Sequence, residues 1–198
     1  MALPGEEAHQ KMAPIERLKE LKKKAKAMNS ARRAGVMVLF YPDQGGNTHF
    51  ALILRKTYKG VHSAQIGFPG GKEEPEDQDL QATALRETRE EIGVPEQTIR
   101  VLKELTHVYI PPSNFYVHPY MGMVGQRPEF ILQDTEVEAL VEVPVPHFLD
   151  DNVLTSSVLT TSYATQINVP AYMLNGHLVW GATAMMLSEV RQMLNQVL

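Results

Sequence analysis

The apolar residues of the chain recur with helical spacing in some segments and form short continuous runs in others. Two runs, residues 34–41 and 49–55, flank the turn-forming sequence PDQGGN and predict two strands joined as a hairpin. Apolar positions at three- and four-residue spacing predict a helix over residues 14–28, which starts at a proline, and another over residues 80–92, which stops at a glycine. A last helix is predicted from Gly181 onward.

The remaining strand candidates lie between turn-forming residues. They are residues 101–110, 116–124, 157–171 and 178–180, with a turn at Asn175-Gly176 before the last of them. Residues 136–144 mix apolar and acidic positions, a pattern that leaves helix and strand equally open. Because strands and helices alternate without a regular strand–helix–strand order, the pattern favours a layered α/β fold.

The composition is that of a globular protein with a hydrophobic core, and it excludes several kinds of chemistry. The chain has 198 residues, a length that suggests one domain, and 43% of them are hydrophobic. No apolar run reaches the roughly 18 residues that a membrane span needs. Because cysteine is absent, the chain has no disulfide, no thiolate metal site and no cysteine nucleophile.

The first thirty residues differ from the rest. Residues 1–12 lack the basic-then-apolar order of a secretory signal, so we expect a disordered leader and a cytoplasmic protein. Residues 17–33 contain eight Lys or Arg and one Glu, whereas the net charge of the whole chain is −4. This favours a solvated helix face over a nucleic-acid contact, because the body of the chain is acidic. We therefore expect a leader with a basic helix over residues 1–30 and one main domain over residues 31–198.

The sequence RETREEIGV is the most informative segment for chemistry. At about 100° per residue, Glu87, Glu90 and Glu91 fall on one face of the predicted helix. Their mutual repulsion requires compensation, either from Arg86 and Arg89 in a solvated, ion-paired helix or from a divalent cation. Two glycines just upstream, in the sequence FPGG, let the backbone approach a ligand closely and favour the cation. The cluster contains no histidine, so its oxygen donors indicate magnesium or manganese rather than zinc.

The segment GGKEEPEDQDLQATALRETREEIGV resembles the Nudix box, whose usual pattern is G-x5-E-x7-R-E-U-x-E-E-x-G-U with U apolar. The matching residues are Gly71, Arg86, Glu87, Glu90, Glu91, Gly93 and Val94. Two features depart from the pattern. The spacing before the arginine is one residue longer, with Asp77 nearest the first glutamate of the box, and Thr88 occupies an apolar position.

Within the Nudix family, the longer box resembles the branch of coenzyme A pyrophosphatases. Downstream, the sequences PPSNFYVHPYMG and EVEALVEVP are similar to segments of that branch, so the resemblance covers roughly residues 32–144. The branch also carries a signature upstream of the box, which matches poorly. This chain has Ile53, Lys56, Gly60 and Ala64 where the signature has threonine, a small residue, arginine and glycine.

The resemblance implies an α/β/α sandwich with a mixed, curved sheet and a metal-dependent enzyme. A water would attack one phosphorus of a diphosphate that is linked to another moiety. Mg²⁺ or Mn²⁺ would be held by Glu87, Glu90 and Glu91 and by the main-chain carbonyl of Gly71. Arg86 would hold the carboxylates in place.

The remaining roles are less specific. The base that takes the proton of the water is Glu87, Glu90 or the loop residue Glu136. Substrate contacts are expected from Arg55 upstream of the box, from Gly70 just before it and from Lys72 within it.

Three functions follow from these expectations. The first is hydrolysis of coenzyme A or a derivative to 3′,5′-ADP and phosphopantetheine. The alternative is hydrolysis of ADP-ribose, a dinucleotide or a noncanonical nucleoside triphosphate. A third is a nucleotide-binding Nudix module without activity, which the intact acidic residues disfavour. The expected partner is a small-molecule diphosphate, with neither membrane nor nucleic acid, and the first and last helices are candidates for a homodimer contact.

Overall fold

A computed structural model describes residues 2–56, 65–162 and 164–198. In these residues the main sheet contains eight strands: β1 (Arg32–Pro42), β2 (Thr48–Arg55), β3 (Ile66–Gly67), β4 (Gly70–Lys72), β5 (Arg100–Glu104), β6 (Val108–Ile110), β7 (Phe115–Met123) and β8 (Val137–Pro144). A smaller antiparallel sheet contains β9 (Leu154–Leu159), β10 (Ile167–Leu174) and β11 (His177–Trp180). The helices are α1 (Glu6–Gln10), α2 (Ile15–Lys24), α3 (Leu80–Ile92), α4 (Val145–Leu149) and α5 (Gly181–Leu194). Short 3₁₀ turns occupy Ala25–Ser30, Glu96–Thr98 and Asp151–Val153.

Strand β1 organises the main sheet. It pairs with β7 in parallel along its length, with β4 near its start and with β2 near its end, the last two antiparallel. Strands β5 and β6 pair with β7, and β3 and β8 pair with β2. The sheet is therefore mixed, and the short strand β4 lies beside the first half of β1.

Side chains of β1 point alternately into two cores. Met37 and Leu39 pack in the core that includes residues of α3, whereas Val38 and Phe40 pack in the core that includes α5 and the smaller sheet. This period of two is expected for a strand that is covered on both faces. The structure thus has the predicted α/β/α layers, with α3 on one face of the sheet and α5 on the other.

The predicted helix over residues 80–92 is confirmed at both ends. The side chain of Asp79 caps α3 by accepting a hydrogen bond from the Ala82 N–H, and Gly93 ends it in the left-handed region with φ of 76°. Both are local signals that a short stretch of sequence carries. The strands over residues 34–41 and 49–55, and the turn at Asn175-Gly176, are confirmed as well.

Two predictions of local structure are wrong. Residues 101–110 form two strands, and so do residues 157–171, because a turn in which the Thr161 N–H donates to the Ala164 carbonyl interrupts the second segment. Of the undecided residues 136–144, Val137–Pro144 form β8 and Glu136 lies in the turn before it.

The N-terminal residues were expected to be disordered, but residues 6–10 form α1. The backbone N–H of Gly5 donates to the buried carboxylate of Glu189, and His9 pairs with the same group. In the described part of the chain, no helix is long and apolar enough to cross a membrane.

Candidate active site

Helix α3 packs directly on β1 because β1 has a glycine beneath it. A Cβ atom at Gly35 would lie 2.3 Å from the carbonyl oxygen of Leu80 and 2.9 Å from the nitrogen of Ala84. Any larger residue would push the helix away from the strand. This contact fixes the start of α3 over β1 and places its later turns, which carry the acidic residues, against β4.

Glu91 is the most buried of the three predicted acids. Its side chain is 2% exposed, and its Oε2 accepts a hydrogen bond of 2.7 Å from the Gly70 N–H. Burial raises the pKa of Glu91 to about 7, although Arg55 and the Gly70 N–H favour its charged form. The side chain is thus held in one orientation beside β4.

Arg55 lies between Glu91 and the backbone of β4. Its Nη1 donates to Glu91 Oε1 at 3.2 Å and its Nη2 donates to the Gly70 carbonyl at 2.8 Å. The predicted substrate contact of Arg55 stays a prediction, since both of these bonds are to protein atoms. Gly70 is required here: it has φ of 150°, and a Cβ would lie 2.4 Å from the Gly35 carbonyl oxygen.

Glu87 and Glu90 extend the carboxylate surface toward solvent. Glu87 packs on Gly71, and a Cβ atom at Gly71 would lie 2.5 Å from the carboxyl carbon of Glu87. Burial raises the pKa of Glu87. Glu90 is more open, with 44% of its side chain exposed. The Nη1 of Arg86 donates to both carboxylates, at 2.9 Å to Glu87 and 3.0 Å to Glu90. The face predicted from helical spacing is therefore confirmed.

Asp77 holds Arg86 in place, a role that the sequence analysis did not assign. The Nε and Nη2 of Arg86 each donate to Asp77 at 2.9 Å, and Nη2 also donates to the Lys72 carbonyl. The bond from Arg86 lowers the pKa of Asp77 to about 2. Its position nearest the first glutamate of the box is the signal that identifies it. Because Arg86 is shared among three carboxylates, the cluster retains negative charge.

The glycine carbonyl that faces the acids is that of Gly70. Gly71 lies opposite Gly35 in the antiparallel pair of β1 and β4, with backbone bonds at Glu73–Arg33 and Met37–Pro69 on either side. Since bonded and non-bonded pairs alternate in such a ladder, the Gly71 carbonyl points at β1. The structure thus favours the Gly70 carbonyl over the predicted Gly71 carbonyl as a ligand. The side chain of Lys72 is exposed next to it.

The loop residue Glu136 lies near the same carboxylates. Its negative charge contributes to the raised pKa of both Glu87 and Glu91, and its carbonyl accepts a bond of 2.9 Å from the Lys56 N–H. The side chain of Glu136 is exposed. Residues on α3 and residues before β8 thus contribute to one oxygen-rich surface, and such a donor set fits a hard divalent cation.

A cavity of about 450 Å³ adjoins this surface on the α5 face of the sheet. Arg55, Gly70 and Lys72 border it, together with the apolar side chains of Phe115 and Trp180. The three predicted substrate-binding residues therefore line one cavity. Of the upstream signature, residues 57–64 lie outside the described residues, while Ile53 is fully buried in the core.

This sandwich and its carboxylate helix define a Nudix hydrolase, a pyrophosphohydrolase class that generally needs divalent metal ions. The NUDIX domain family matches residues 31–157, and the chain belongs to that family. It is 32% identical over 143 residues to an uncharacterized Nudix hydrolase, NudL, of Yersinia pestis, a match that spans 71% of this chain and 70% of the relative. The NudL protein of Yersinia pseudotuberculosis matches equally.

Solved structures support the same fold. The Nudix hydrolase RenU of M. smegmatis superposes with a TM-score of 0.58 at 13% identity, covering 85% of this chain and 88% of that one. A MutT/nudix family protein of Enterococcus faecalis gives a TM-score of 0.56 at 15% identity, covering 98% and 76%. At these identities the likeness concerns the fold alone.

Proposed function

We propose that this Nudix hydrolase cleaves the diphosphate bond of coenzyme A or a derivative, giving 3′,5′-ADP and phosphopantetheine. One observation carries the proposal. Two segments that resemble the coenzyme A branch, 111–122 and 136–144, are far apart in sequence yet both reach the site. Pro112 and Phe115 of the first line the cavity, and Glu136 of the second lies beside the carboxylates of α3.

The cavity suits a substrate in which a diphosphate is linked to a bulky group. Arg55 and Lys72 border the end next to the acidic helix, where phosphates would lie, and aromatic and apolar residues line the rest. The ring of Phe115 is fixed by the guanidinium of Arg32, which lies 4.1 Å from the ring centre. A planar base or an apolar chain can pack in that part of the cavity.

We infer that Glu87, Glu90, Glu91 and the Gly70 carbonyl hold Mg²⁺ or Mn²⁺. The ion, when bound, neutralises phosphate charge and acidifies a water. Arg86 fixes Glu87 and Glu90, and Asp77 fixes Arg86. In the reaction a water oxygen forms a bond to phosphorus as the bridging P–O bond breaks, and a carboxylate accepts the proton of the water. Glu87, Glu90 and Glu136 stay the candidates for that base.

A second candidate is hydrolysis of ADP-ribose, a dinucleotide or a noncanonical nucleoside triphosphate. The observation that favours it is the departure from the upstream coenzyme A signature. Where that signature has a threonine, this chain has Ile53, whose side chain is buried in the core and unable to contact a ligand. These substrates share the diphosphate but carry no 3′-phosphate on the ribose.

Product analysis separates the candidates. The full chain is incubated with Mg²⁺ or Mn²⁺ and with coenzyme A, acetyl-coenzyme A, ADP-ribose, a dinucleotide or a nucleoside triphosphate, and the products are resolved by chromatography. Release of 3′,5′-ADP and phosphopantetheine faster than any other cleavage is the expected result. Faster cleavage of ADP-ribose, the dinucleotide or the triphosphate would overturn the coenzyme A assignment and leave the pyrophosphohydrolase intact.

The binding-module alternative is tested with one substitution and its control. Glu90→Gln removes one carboxylate charge of the site, whereas Glu129→Gln removes an exposed charge elsewhere. We expect turnover to fall only in the first variant, with both proteins folded by circular dichroism. A wild-type protein that binds these nucleotides in calorimetry but cleaves none of them would support the module instead.

A further inference from the structure

Three side chains of types that can ligate a metal converge at a place that the hydrolytic site does not use. Glu104 ends β5, His107 lies in the connection to β6, and His118 lies in β7. The Nε2 of His107 and the Nδ1 of His118 lie 2.8 Å and 3.0 Å from the same oxygen, Glu104 Oε1. We propose that these three residues form a second metal site, which binds a transition-metal dication of the zinc type through two imidazoles and one carboxylate.

The spacing of the donor atoms matches such an ion. One ligand atom from each residue lies within 4.8 Å of the other two. In a tetrahedral zinc site with bonds of about 2.0–2.1 Å, neighbouring donor atoms lie about 3.3 Å apart. The two nitrogen–oxygen distances, 2.8 Å and 3.0 Å, are a few tenths of an ångström shorter than that edge. Small rotations of the side chains therefore open the space for an ion.

Two tyrosines orient the ligands from outside. The Tyr116 hydroxyl lies 3.3 Å from Nδ1 of His107, on the opposite side of the ring from Glu104, and Tyr120 donates to Glu104 Oε1 at 3.3 Å. With Nε2 bound to a metal, Nδ1 of His107 carries the proton and donates it to Tyr116. Such outer contacts fix the tautomer of a ligating histidine.

The cluster is open enough to hold a water as the remaining ligand. The exposed fraction is 16% for the His118 side chain, 32% for His107 and 46% for Glu104. Three protein ligands and one open position are the arrangement of an exchangeable or catalytic zinc site rather than of a closed structural one.

The proposed site is separate from the acidic helix. His118 lies in register with Gly35 of β1, which in turn lies opposite Gly71 of β4. His118 and Gly71 are thus two strands apart, about 10 Å along the sheet. The Leu80 turn of α3 packs on Gly35 between them.

The test is zinc binding by the full chain after treatment with a chelator, in excess Mg²⁺ so that the oxygen site is filled with a harder ion. Isothermal titration calorimetry with Zn²⁺ measures affinity and stoichiometry, and Co²⁺ absorption spectra report nitrogen ligation. We expect one Zn²⁺ per chain, bound at least about tenfold more weakly by His118→Gln, His107→Gln and Glu104→Gln. The control His147→Gln changes an exposed histidine elsewhere and is expected to bind like the wild type.

Two results would overturn the proposal. One is the absence of stoichiometric Zn²⁺ binding to wild-type protein. The other is binding that persists in the cluster variants but is lost in Glu90→Gln, which would locate the zinc on α3. Circular dichroism checks the folding of each variant, and His107→Gln, whose side chain lies in a loop and is one-third exposed, serves as the decisive variant if His118→Gln unfolds.

Discussion

The carboxylate cluster on α3 and the cluster around Glu104 differ in what surrounds their charges. Glu87 and Glu90 share the guanidinium of Arg86, and Glu91 binds Arg55 and a backbone N–H. Glu104 instead accepts hydrogen bonds from two imidazole rings and a tyrosine. Helix α3 thus presents an oxygen-only donor set, whereas β5, β7 and the loop after β5 present a mixed nitrogen and oxygen set. The comparison teaches that the donor atoms, and not the amount of negative charge, select the ion.

The carboxylate of Glu189 has a structural role instead. Glu189 is fully buried, and the Gly5 N–H, the Thr106 N–H, the Thr106 hydroxyl and His9 all contact its two oxygens. Its acceptor positions are occupied by protein donors, so it offers no ligand. Substitutions at the three sites should therefore affect different properties. Changes on α3 should affect activity, changes at Glu104 should affect Zn²⁺ binding, and changes at Glu189 should affect stability.

The largest expected effect is the loss of hydrolysis when divalent ions are removed. A chelator should abolish turnover, and Mg²⁺ or Mn²⁺ should restore it, because the phosphates of the substrate must approach the carboxylates of α3. Turnover is measured by product release. His118→Gln should respond to the chelator and to Mg²⁺ like the wild type; a failure of Mg²⁺ to restore that variant would mean that the two sites are coupled.

The next largest effect on activity is expected from substitution of the acidic residues on α3. Glu87→Gln and Glu90→Gln should each lower kcat by about 100-fold or more, since each removes a charge next to the reacting phosphate. Glu104→Gln is the matched control, an equal change of charge in the other cluster, and it should leave kcat unchanged. Steady-state kinetics with the substrate identified by product analysis measures both. Equal losses in all three variants would contradict the distinction between the clusters.

Asp77→Asn should have a smaller effect on activity. The amide binds Arg86 less strongly than the carboxylate, so we expect kcat to fall about tenfold as Glu87 and Glu90 lose their fixed positions. Asp79→Asn is the control, because asparagine caps a helix as well as aspartate does. A kcat unaffected by Asp77→Asn would mean that Arg86 is held without Asp77.

The lowered pKa of Asp77 predicts that the stability of the protein depends on pH. The pKa of Asp77 in the folded protein is about 2, below its ordinary value of 3.8. Its pairing therefore contributes stability fully above about pH 4, and this contribution, about 2 kcal/mol, is lost as the pH falls through 2. Urea unfolding of wild type and Asp77→Asn at several pH values measures it. The difference between the two proteins should shrink at low pH, and a constant difference would contradict this origin.

The smallest effect on activity is expected for Glu189→Gln. The amide nitrogen cannot accept the bonds that one carboxylate oxygen accepts, so the free energy of unfolding should fall by about 1–3 kcal/mol. At a temperature where the variant stays folded, kcat and Zn²⁺ affinity should match the wild type. Thermal unfolding measures the loss of stability, and steady-state kinetics measures kcat. A reduced kcat in the folded variant would show that the docking of α1 affects the hydrolytic site.

The sequence alone determined the acidic helix of this protein. Residues 80–92, the stop at Gly93 and the shared face of Glu87, Glu90 and Glu91 follow from helical spacing and from the conformational freedom of glycine, both of which act within a few residues. The resemblance to the Nudix box depends on the same short stretch. Predictions of this kind succeed because every interaction that they need is local.

Only the tertiary structure decided the rest. The docking of α1 depends on Glu189, which lies at the other end of the chain, and the facing carbonyl of Gly70 depends on the ladder between β4 and β1. Glu104 and His118 come together because β5 and β7 pair. The spacing of the two residues along the sequence does not predict this contact. Hydrogen bonds between distant segments set these contacts, and strand register, which the local sequence does not specify, decides which side chains meet.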